Sequence, residues 1–279
     1  MAQGGKNRSA ARRFVGDGTY SLVAISCLGL LAGFISLPIV SLLIWTVDTS
    51  AWRAMLSPVA LQALSLSIRT TSVTLVITIL IGTPAAYALS RFEFPGKKLV
   101  DTLVDIPAVL PPSAAGIALL LAFGRLGLVG EPLNLAFGIT ITFTTVAVIL
   151  AELFVAMHFY VRYTTVGFDN VDRSIEEAAM VDGAGRGNTF LRITVPLAFP
   201  SIVAGAVMAW ARALGEFGAT IIFAGNVRGV TQTMPLAIYA EFQSDLDAAV
   251  ALSLMVLVFA FAVILTVRLL TRRSVAYRD

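Results

Sequence analysis

The chain is poor in the residues that carry most enzymatic and metal chemistry. Its 279 residues include one cysteine, Cys27, and one histidine, His158. One cysteine cannot form an internal disulfide, and one Cys with one His supplies too few soft ligands for a metal cluster. The sequence also has no Gly-x-x-x-x-Gly-Lys-Ser/Thr nucleotide loop and no Gly-x-Ser-x-Gly nucleophile elbow. We therefore expect no catalytic residue, no metal site and no cofactor in this chain.

Charge is scarce as well. Only 13% of the residues are charged and 57% are hydrophobic, whereas ordinary soluble domains have about 25% charged residues. Since a helix rises ~1.5 Å per residue, about 20 apolar residues cross a ~30 Å hydrocarbon layer. Six uncharged stretches are long enough, at residues 20–47, 70–90, 106–124, 132–151, 193–211 and 248–267. They lack the period-2 alternation of a membrane barrel. The sequence predicts an all-α integral membrane protein with six transmembrane helices.

The basic residues predict the orientation. Most fall in the two tails and in two alternate loops: Lys6, Arg8, Arg12, Arg13, Arg91, Lys97, Lys98, Arg162, Arg173, Arg186, Arg192, Arg268, Arg272, Arg273 and Arg278. The other loops carry only Arg53, Arg125 and Arg228. The positive-inside rule therefore places both termini in the cytoplasm. The net charge of +3 is a topology signal, and we expect lipid but no nucleic acid as a partner.

These signals divide the chain into four parts. We expect a cytoplasmic tail at residues 1–19, a first transmembrane helix at 20–47, a compact transmembrane domain at 62–270, and a second cytoplasmic tail at 271–279. Within the domain, Pro107, Pro111 and Pro112 predict a broken third span. The uncharged residues 229–240 of an outside loop predict a re-entrant or interfacial segment, because twelve residues are too few to cross.

The long cytoplasmic loop, residues 162–192, contains a predicted short helix. Ser174 and Glu177 match a capping box, which predicts the start of the helix. Ile175, Ala178 and Ala179 follow at helical spacing and give a narrow face of small side chains, and Gly183 suits the left-handed residue that ends a helix. Such a helix could dock into a cleft of another protein or simply connect two spans. Periodicity leaves both open.

Two motifs in this half of the chain resemble a known family. Glu177-Ala178-Ala179, Gly183 and Pro196 resemble the EAA loop of ATP-binding cassette (ABC) importer permeases. The segment 211–220 is similar to the signature of the oxyanion branch, and residues 225–229 and 231–239 are most like the molybdate permeases. The resemblance covers roughly residues 62–270. The sequence departs from the branch at Asp182, where Leu is more common, and at His158, where Pro is usual.

The resemblance implies a fold and a set of partners. The fold would be the type I importer (MetI-like) permease fold, in the cell membrane of a bacterium. Two permease chains would form the pathway, two cytoplasmic ATPase subunits would bind ATP and Mg²⁺, and an extracytoplasmic binding protein would deliver molybdate or tungstate. This chain would be a transport subunit, not an enzyme. The residues that would couple it to the ATPase are Glu177, Ala178, Ala179, Asp182, Gly183 and Pro196.

Two alternative functions stay open. A sulfate or thiosulfate permease of the same class would carry a tetrahedral dianion of similar charge. An ion-coupled secondary carrier would need acidic residues near the midplane and paired interrupted helices, and only Glu152 and Glu216 lie well inside the candidate spans.

Polar residues within the spans are candidates for the pathway. Arg212 and Glu216 lie four residues apart on one helix face, so they could pair internally or set the potential along an anion route. Hydroxyl groups could face the route or bond their own helix. The candidates for the pathway and its gate are Arg212, Gly215, Glu216, Phe217, Thr220, Ser67 and Thr71.

Overall fold

The computed structural model describes residues 18–47 and 51–275, and every regular element in these two ranges is helical. Of the two predicted cytoplasmic tails, residues 1–17 and 276–279 lie outside the described residues, and residues 271–275 continue the last helix. We number the helices α1 to α12, and α9 is continuous through a π-helical turn at Phe190–Thr194. The helices are α1 Gly18–Val47, α2 Ala51–Met55, α3 Pro58–Arg91, α4 Lys97–Val109, α5 Pro112–Phe123, α6 Gly130–Phe137, α7 Thr145–Asp169, α8 Arg173–Val181, α9 Arg186–Leu214, α10 Gly218–Phe223, α11 Met234–Phe242 and α12 Leu246–Val275.

Helix α7 lies at the centre of the bundle and packs against α3 and α9. Small residues on the neighbouring helices make this close approach possible. A Cβ added at Gly82 of α3 would lie 2.7 Å from the ring of Tyr160, and one at Gly205 of α9 would lie 3.1 Å from the Tyr160 carbonyl oxygen. Tyr160 is fully buried, and its hydroxyl is 2.6 Å from Thr83 Oγ1.

The predicted fourth span, residues 132–151, is wrong. Its first part forms the short helix α6, which ends at Gly138 with φ +67°, and the long helix α7 begins only at Thr145. A charge-free run does not mark this span, because α7 contains Glu152 and Arg162. Both have polar partners in the bundle. Glu152 accepts hydrogen bonds from Thr70 and Thr74, and Arg162 binds Asp101 and Asp105 of α4.

The break predicted in the third span is confirmed. Helices α4 and α5 meet at a bend of 119° around Leu110 and Pro111. Pro112 occupies the first turn of α5, where a missing N–H costs no hydrogen bond. Five described helices are long and apolar enough to cross a membrane, and the bent pair makes up to six.

The remaining helices surround this centre. Helix α1 is apolar on all sides, and its most hydrophobic window has no buried residue, as expected for a helix that faces lipid. It packs along α12, where Trp45 Nε1 donates to Asp247 Oδ1 at 3.2 Å. The predicted short segment at residues 229–240 overlaps α11, whose residues Met234, Leu236 and Ala237 are fully buried.

Candidate functional site

Helix α8 is the short helix predicted in the long loop, but its cap differs from the prediction. Asp172, not Ser174, precedes the first turn, and its Oδ1 accepts a hydrogen bond from the Ser174 N–H at 2.9 Å. That bond lowers the pKa of Asp172 from its usual value. The Ser174–Glu177 capping box is therefore wrong, because an Asp two residues earlier already satisfies the free N–H. Gly183, with φ +92°, follows the helix as predicted.

One face of α8 is open. Glu177 and Ala178 are exposed, as are Asp182 and Gly183 just beyond the helix, whereas Ala179 is half-buried. Three apolar side chains are exposed with them, Ile175, Met180 and Val181, the last at 87%. Pro196 lies half-buried in α9, after the π-helical turn. A small, partly apolar helix face without a partner in the described chain is suited to bind another protein.

The opposite face of α8 is fixed by a buried ion pair that sequence reasoning missed. Glu176 Oε2 lies 3.1 Å from Arg91 Nε, and the two side chains are only 9% and 7% exposed. Arg91 also donates to the Val171 carbonyl oxygen at 3.1 Å. Thr194 Oγ1 donates to Glu176 Oε1 at 2.5 Å. We call Arg91, Glu176 and Thr194 the cytoplasmic junction, because they tie α8 to the end of α3 and the beginning of α9.

A sequence signal for this junction existed. Residues 176 and 177 are both Glu, and consecutive residues on a helix point about 100° apart. If Glu177 lies on the open face, then Glu176 points toward the bundle, where a buried carboxylate needs a cation. The partner could not be identified in this way, since Arg91 is 85 residues away in sequence.

Arg212 and Glu216 pair with each other, which is one of the two possibilities that the sequence leaves open. Arg212 Nη1 lies 2.6 Å from Glu216 Oε2, and the Glu216 side chain is only 1% exposed. Glu216 is not inside the span helix, however. Helix α9 ends at Leu214, and Glu216 lies in the break before α10, where its Oε1 accepts from the Ala219 N–H at 2.7 Å. Gly215 is the exposed residue at the end of α9, and Phe217 packs its ring on Tyr239 with centroids 5.1 Å apart.

The candidate hydroxyl groups are buried inside the bundle. Thr71 Oγ1 donates to the Ser67 carbonyl oxygen of its own helix at 2.7 Å, and Ser67 Oγ accepts from the Met234 N–H at 2.8 Å. The Thr220 hydroxyl is buried and has no hydrogen-bond partner among the described residues. Ser67 therefore joins α3 to α11, whereas Thr71 bonds its own helix, and a direct role for these three residues in transport stays a prediction.

Glu152 is the most deeply buried acid of α7. Its two oxygens accept hydrogen bonds of 2.7 Å from the hydroxyl groups of Thr70 and Thr74 on α3. The acid and the two threonines are each 1% exposed. This contact joins the two helices at the centre of the bundle. Within the described ranges, no group of three His, Cys, Asp or Glu residues could hold a metal ion.

Comparisons with known proteins agree with this architecture. Residues 78–275 match the model of a family described as binding-protein-dependent transport system inner membrane component. The molybdenum transport system permease protein ModB of Mycobacterium tuberculosis is 42% identical over 84% of this chain and 88% of its own length. A probable sulfate transport system permease protein, cysT of Nephroselmis olivacea, is 33% identical over 76% of this chain and 74% of its own.

The fold is also found among solved structures. A crystal structure of a bacterial alginate ABC transporter, in complex with a periplasmic protein that carries an alginate pentasaccharide, has a chain that superimposes with a TM-score of 0.72. The two chains are 17% identical, and the match covers 95% of this chain and 96% of the other. At 17% identity, the structural similarity shows that the two chains share a fold and nothing more.

Proposed function

Because the chain belongs to the family of binding-protein-dependent transport system inner membrane components, as an ABC importer permease subunit, we propose that it forms the translocation pathway of an ATP-driven molybdate importer. Two copies would enclose the pathway and two cytoplasmic ATPase subunits would drive it. An extracytoplasmic binding protein would deliver the anion. The alginate transporter structure, which includes a periplasmic protein, supports a partner of this kind.

The observation that carries the coupling role is the two-sided construction of α8. Its outer face, with Glu177 and Ala178, is exposed, and its inner face is fixed by the Arg91–Glu176 ion pair. A movement imposed on the outer face by an ATPase would pass through Glu176 to α3 and, through Thr194, to α9. ATP-driven closure of two ATPase subunits would thus bring the two α8 helices together and open the pathway outward. Asp182, Gly183 and Pro196 would complete the coupling segment.

The proposed topology places α8 in the cytoplasm. We count α4 and α5 as one broken span, so that α1, α3, α4–α5, α7, α9 and α12 make six. Both termini then lie on the same side as α8, in agreement with the distribution of Lys and Arg. The loop at residues 225–247, at the other end of the bundle, would receive the binding protein. The membrane would be the plasma membrane of a bacterium.

The substrate is argued from the relatives. The mycobacterial relative, named for molybdenum transport, is 42% identical to this chain, and the relative named for sulfate transport is 33% identical. Molybdate and sulfate are both tetrahedral dianions, so a permease of this branch could carry either. The higher identity favours molybdate, and sulfate is the second candidate.

Reconstitution tests both the class and the cargo. We would place the chain in proteoliposomes with its ATPase and binding protein, and measure uptake of labelled molybdate and sulfate with ATP inside or outside. We expect molybdate uptake that needs both partners and ATP on the ATPase side. Uptake by the chain alone, driven by an ion gradient, would instead identify a secondary carrier. Preference for sulfate would change the substrate but keep the class.

A further inference from the structure

A polar stripe runs along the half of α3 that is remote from α8. Gln62, Ser65, Arg69 and Ser72 follow each other at spacings of three, four and three residues, so they lie on one face of the helix. Gln62, Arg69 and Ser72 are exposed and Ser65 is half-buried. The stripe is unusual because α3 is one of the helices long and apolar enough to cross a membrane.

Arg69 differs from Arg91, Arg162 and Arg212 in having no carboxylate near its guanidinium among the described residues. Arg91, Arg162 and Arg212 each have a carboxylate oxygen within about 3 Å. Across residues 18–47 and 51–275, no carboxylate lies within 4 Å of the Arg69 guanidinium, and none of its N–H groups has a protein acceptor. A lone arginine facing hydrocarbon is costly, so such residues line water-filled cavities or the interior of a bundle. The face of α3 with Arg69 therefore borders water.

A cleft of about 490 Å³ lies at this stripe. It is lined by Leu61, Gln62, Ser65, Leu66, Arg69 and Gly229. Gly229 belongs to the long loop at the end of the bundle remote from α8, and a Cβ at that position would lie 3.7 Å from Gln62 Oε1. The cleft is large enough for a small hydrated anion. Gln62, Ser65 and Arg69 supply an amide, a hydroxyl and a guanidinium, and all three can donate to oxygen.

The same face of α3 becomes apolar toward α8. Val73, Val76 and Leu80 continue the line of the stripe and are all exposed, Leu80 at 68%. An anion that leaves Arg69 would next meet a surface with no donor. In this order, the polar half of the face would receive an anion, and the apolar half would form a barrier that excludes water, as in gated pores.

We propose that Arg69, with Gln62 and Ser65, forms a transient receiving site for a tetrahedral divalent oxyanion, ahead of an apolar gate formed by Val73, Val76 and Leu80. The proposal rests on the proposed function and deepens it. The guanidinium presents paired N–H groups that match two oxygens of such an anion. The site binds the anion weakly, because it is exposed to water and contains one cation. Weak binding suits an anion that must continue along the pathway. Arg212 is less suited, since Glu216 already neutralises it.

Water access and anion binding can be tested on the chain alone. In a Cys27→Ser background, Gln62→Cys introduces the only thiol, which a membrane-impermeant thiol reagent should label. Excess molybdate or sulfate should slow the labelling, and Arg69→Gln should remove that protection. Arg125→Gln, which removes an exposed basic residue of an outer loop, is the matched control and should keep it. A thiol that resists the reagent, or protection that survives Arg69→Gln, overturns the receiving site.

Uptake by the reconstituted importer gives the second measurement. We expect Arg69→Gln to lower kcat/KM for the anion-loaded binding protein by about tenfold, the loss of one charge-assisted interaction. Arg69→Lys should recover part of it, since it keeps the charge but loses the paired geometry. Arg125→Gln, the matched control, should keep the uptake and the ATP hydrolysis of the unaltered chain. If the unaltered chain imports neither anion, the proposed function is wrong, but the labelling experiment still tests the receiving site. If Arg69→Gln imports the anion as well as the unaltered chain does, the receiving site is wrong and the proposed function stands.

Discussion

Arg69 and Arg91 lie on the same helix, α3, roughly 33 Å apart along its axis, and their surroundings are opposite. Arg91 is buried at the end near α8, with Glu176 3.1 Å away and the Val171 carbonyl oxygen as a further acceptor. Arg69, in the other half, is exposed and borders a cleft, and no carboxylate of the described residues lies within 4 Å of its guanidinium. The same side chain therefore serves two purposes on one helix.

The difference follows from what each cation is paired with. A buried arginine must be neutralised by the protein, and the ion pair then joins the elements that supply it. The Arg91–Glu176 pair joins α3 to α8 in this way. An arginine without a carboxylate partner can be neutralised by an anionic ligand instead, and that ligand can later be released. We propose that one end of α3 transmits movement and that the other receives an anion.

The largest effect is expected from breaking the junction. Glu176→Gln leaves Arg91 buried without a counter-charge, which typically costs about 3–5 kcal/mol. We expect a lower melting temperature in detergent and loss of ATP-driven uptake. Glu93→Gln is the matched control, because Glu93 forms an exposed ion pair with Lys97 on the same side of the bundle. It should leave both quantities close to wild type.

The double variant separates stability from coupling. Removing both charges, with Arg91→Gln and Glu176→Gln together, should restore part of the stability that Glu176→Gln loses, because no charge is left unpaired. Uptake should stay low, since the link from α8 to α3 is missing. Full recovery of uptake in the double variant would show that the ion pair stabilises the fold but does not transmit movement.

A smaller effect, limited to function, is expected on the open face of α8. Glu177→Arg reverses an exposed charge, so the melting temperature should not change, while uptake should fall about tenfold through weaker binding of the ATPase. Binding of the ATPase to the reconstituted chain is the direct measurement. Normal uptake at normal expression would contradict the docking role.

Gly183 offers a matched pair on the same segment. Gly183→Ala places a side chain at φ +92°, which L residues rarely adopt, whereas Gly187→Ala meets open space at an ordinary φ. We expect reduced uptake for the first and wild-type uptake for the second. Equal uptake by both would mean that the exact end of α8 does not matter for coupling.

The smallest effect concerns the cap of α8. The hydrogen bond from the Ser174 N–H holds the pKa of Asp172 below its usual value, so the cap stabilises the helix at neutral pH. This contribution is lost as pH falls below about 4, through the lowered pKa, where the carboxylate is protonated. Amide exchange of the first turn of α8 should rise in Asp172→Ala at neutral pH. An unchanged exchange rate would exclude Asp172 as the cap.

The membrane class, the break at Pro111 and Pro112 and the end of α8 at Gly183 could all be predicted, because local chemistry decides them. The length of an apolar run, the ring of proline and the positive φ that glycine tolerates are each properties of a short stretch of sequence. The fourth span could not be predicted from its charges. Glu152 and Arg162 look like the limits of a loop in sequence, and only their contacts with Thr70, Thr74, Asp101 and Asp105 allow them inside a helix of the bundle.

The candidate site divides in the same way. The sequence by itself determined that α8 has a narrow face of small side chains and that Arg212 could pair with Glu216, since both depend on helical spacing alone. Only the tertiary structure decided which charges are satisfied. Arg91 and Arg69 are equally basic in the sequence, but the fold brings Glu176 to Arg91 from 85 residues away, and it brings no carboxylate to Arg69 from the part of the chain that the structure describes. The neutralisation of a charge depends on distance in space, which helical periodicity does not encode.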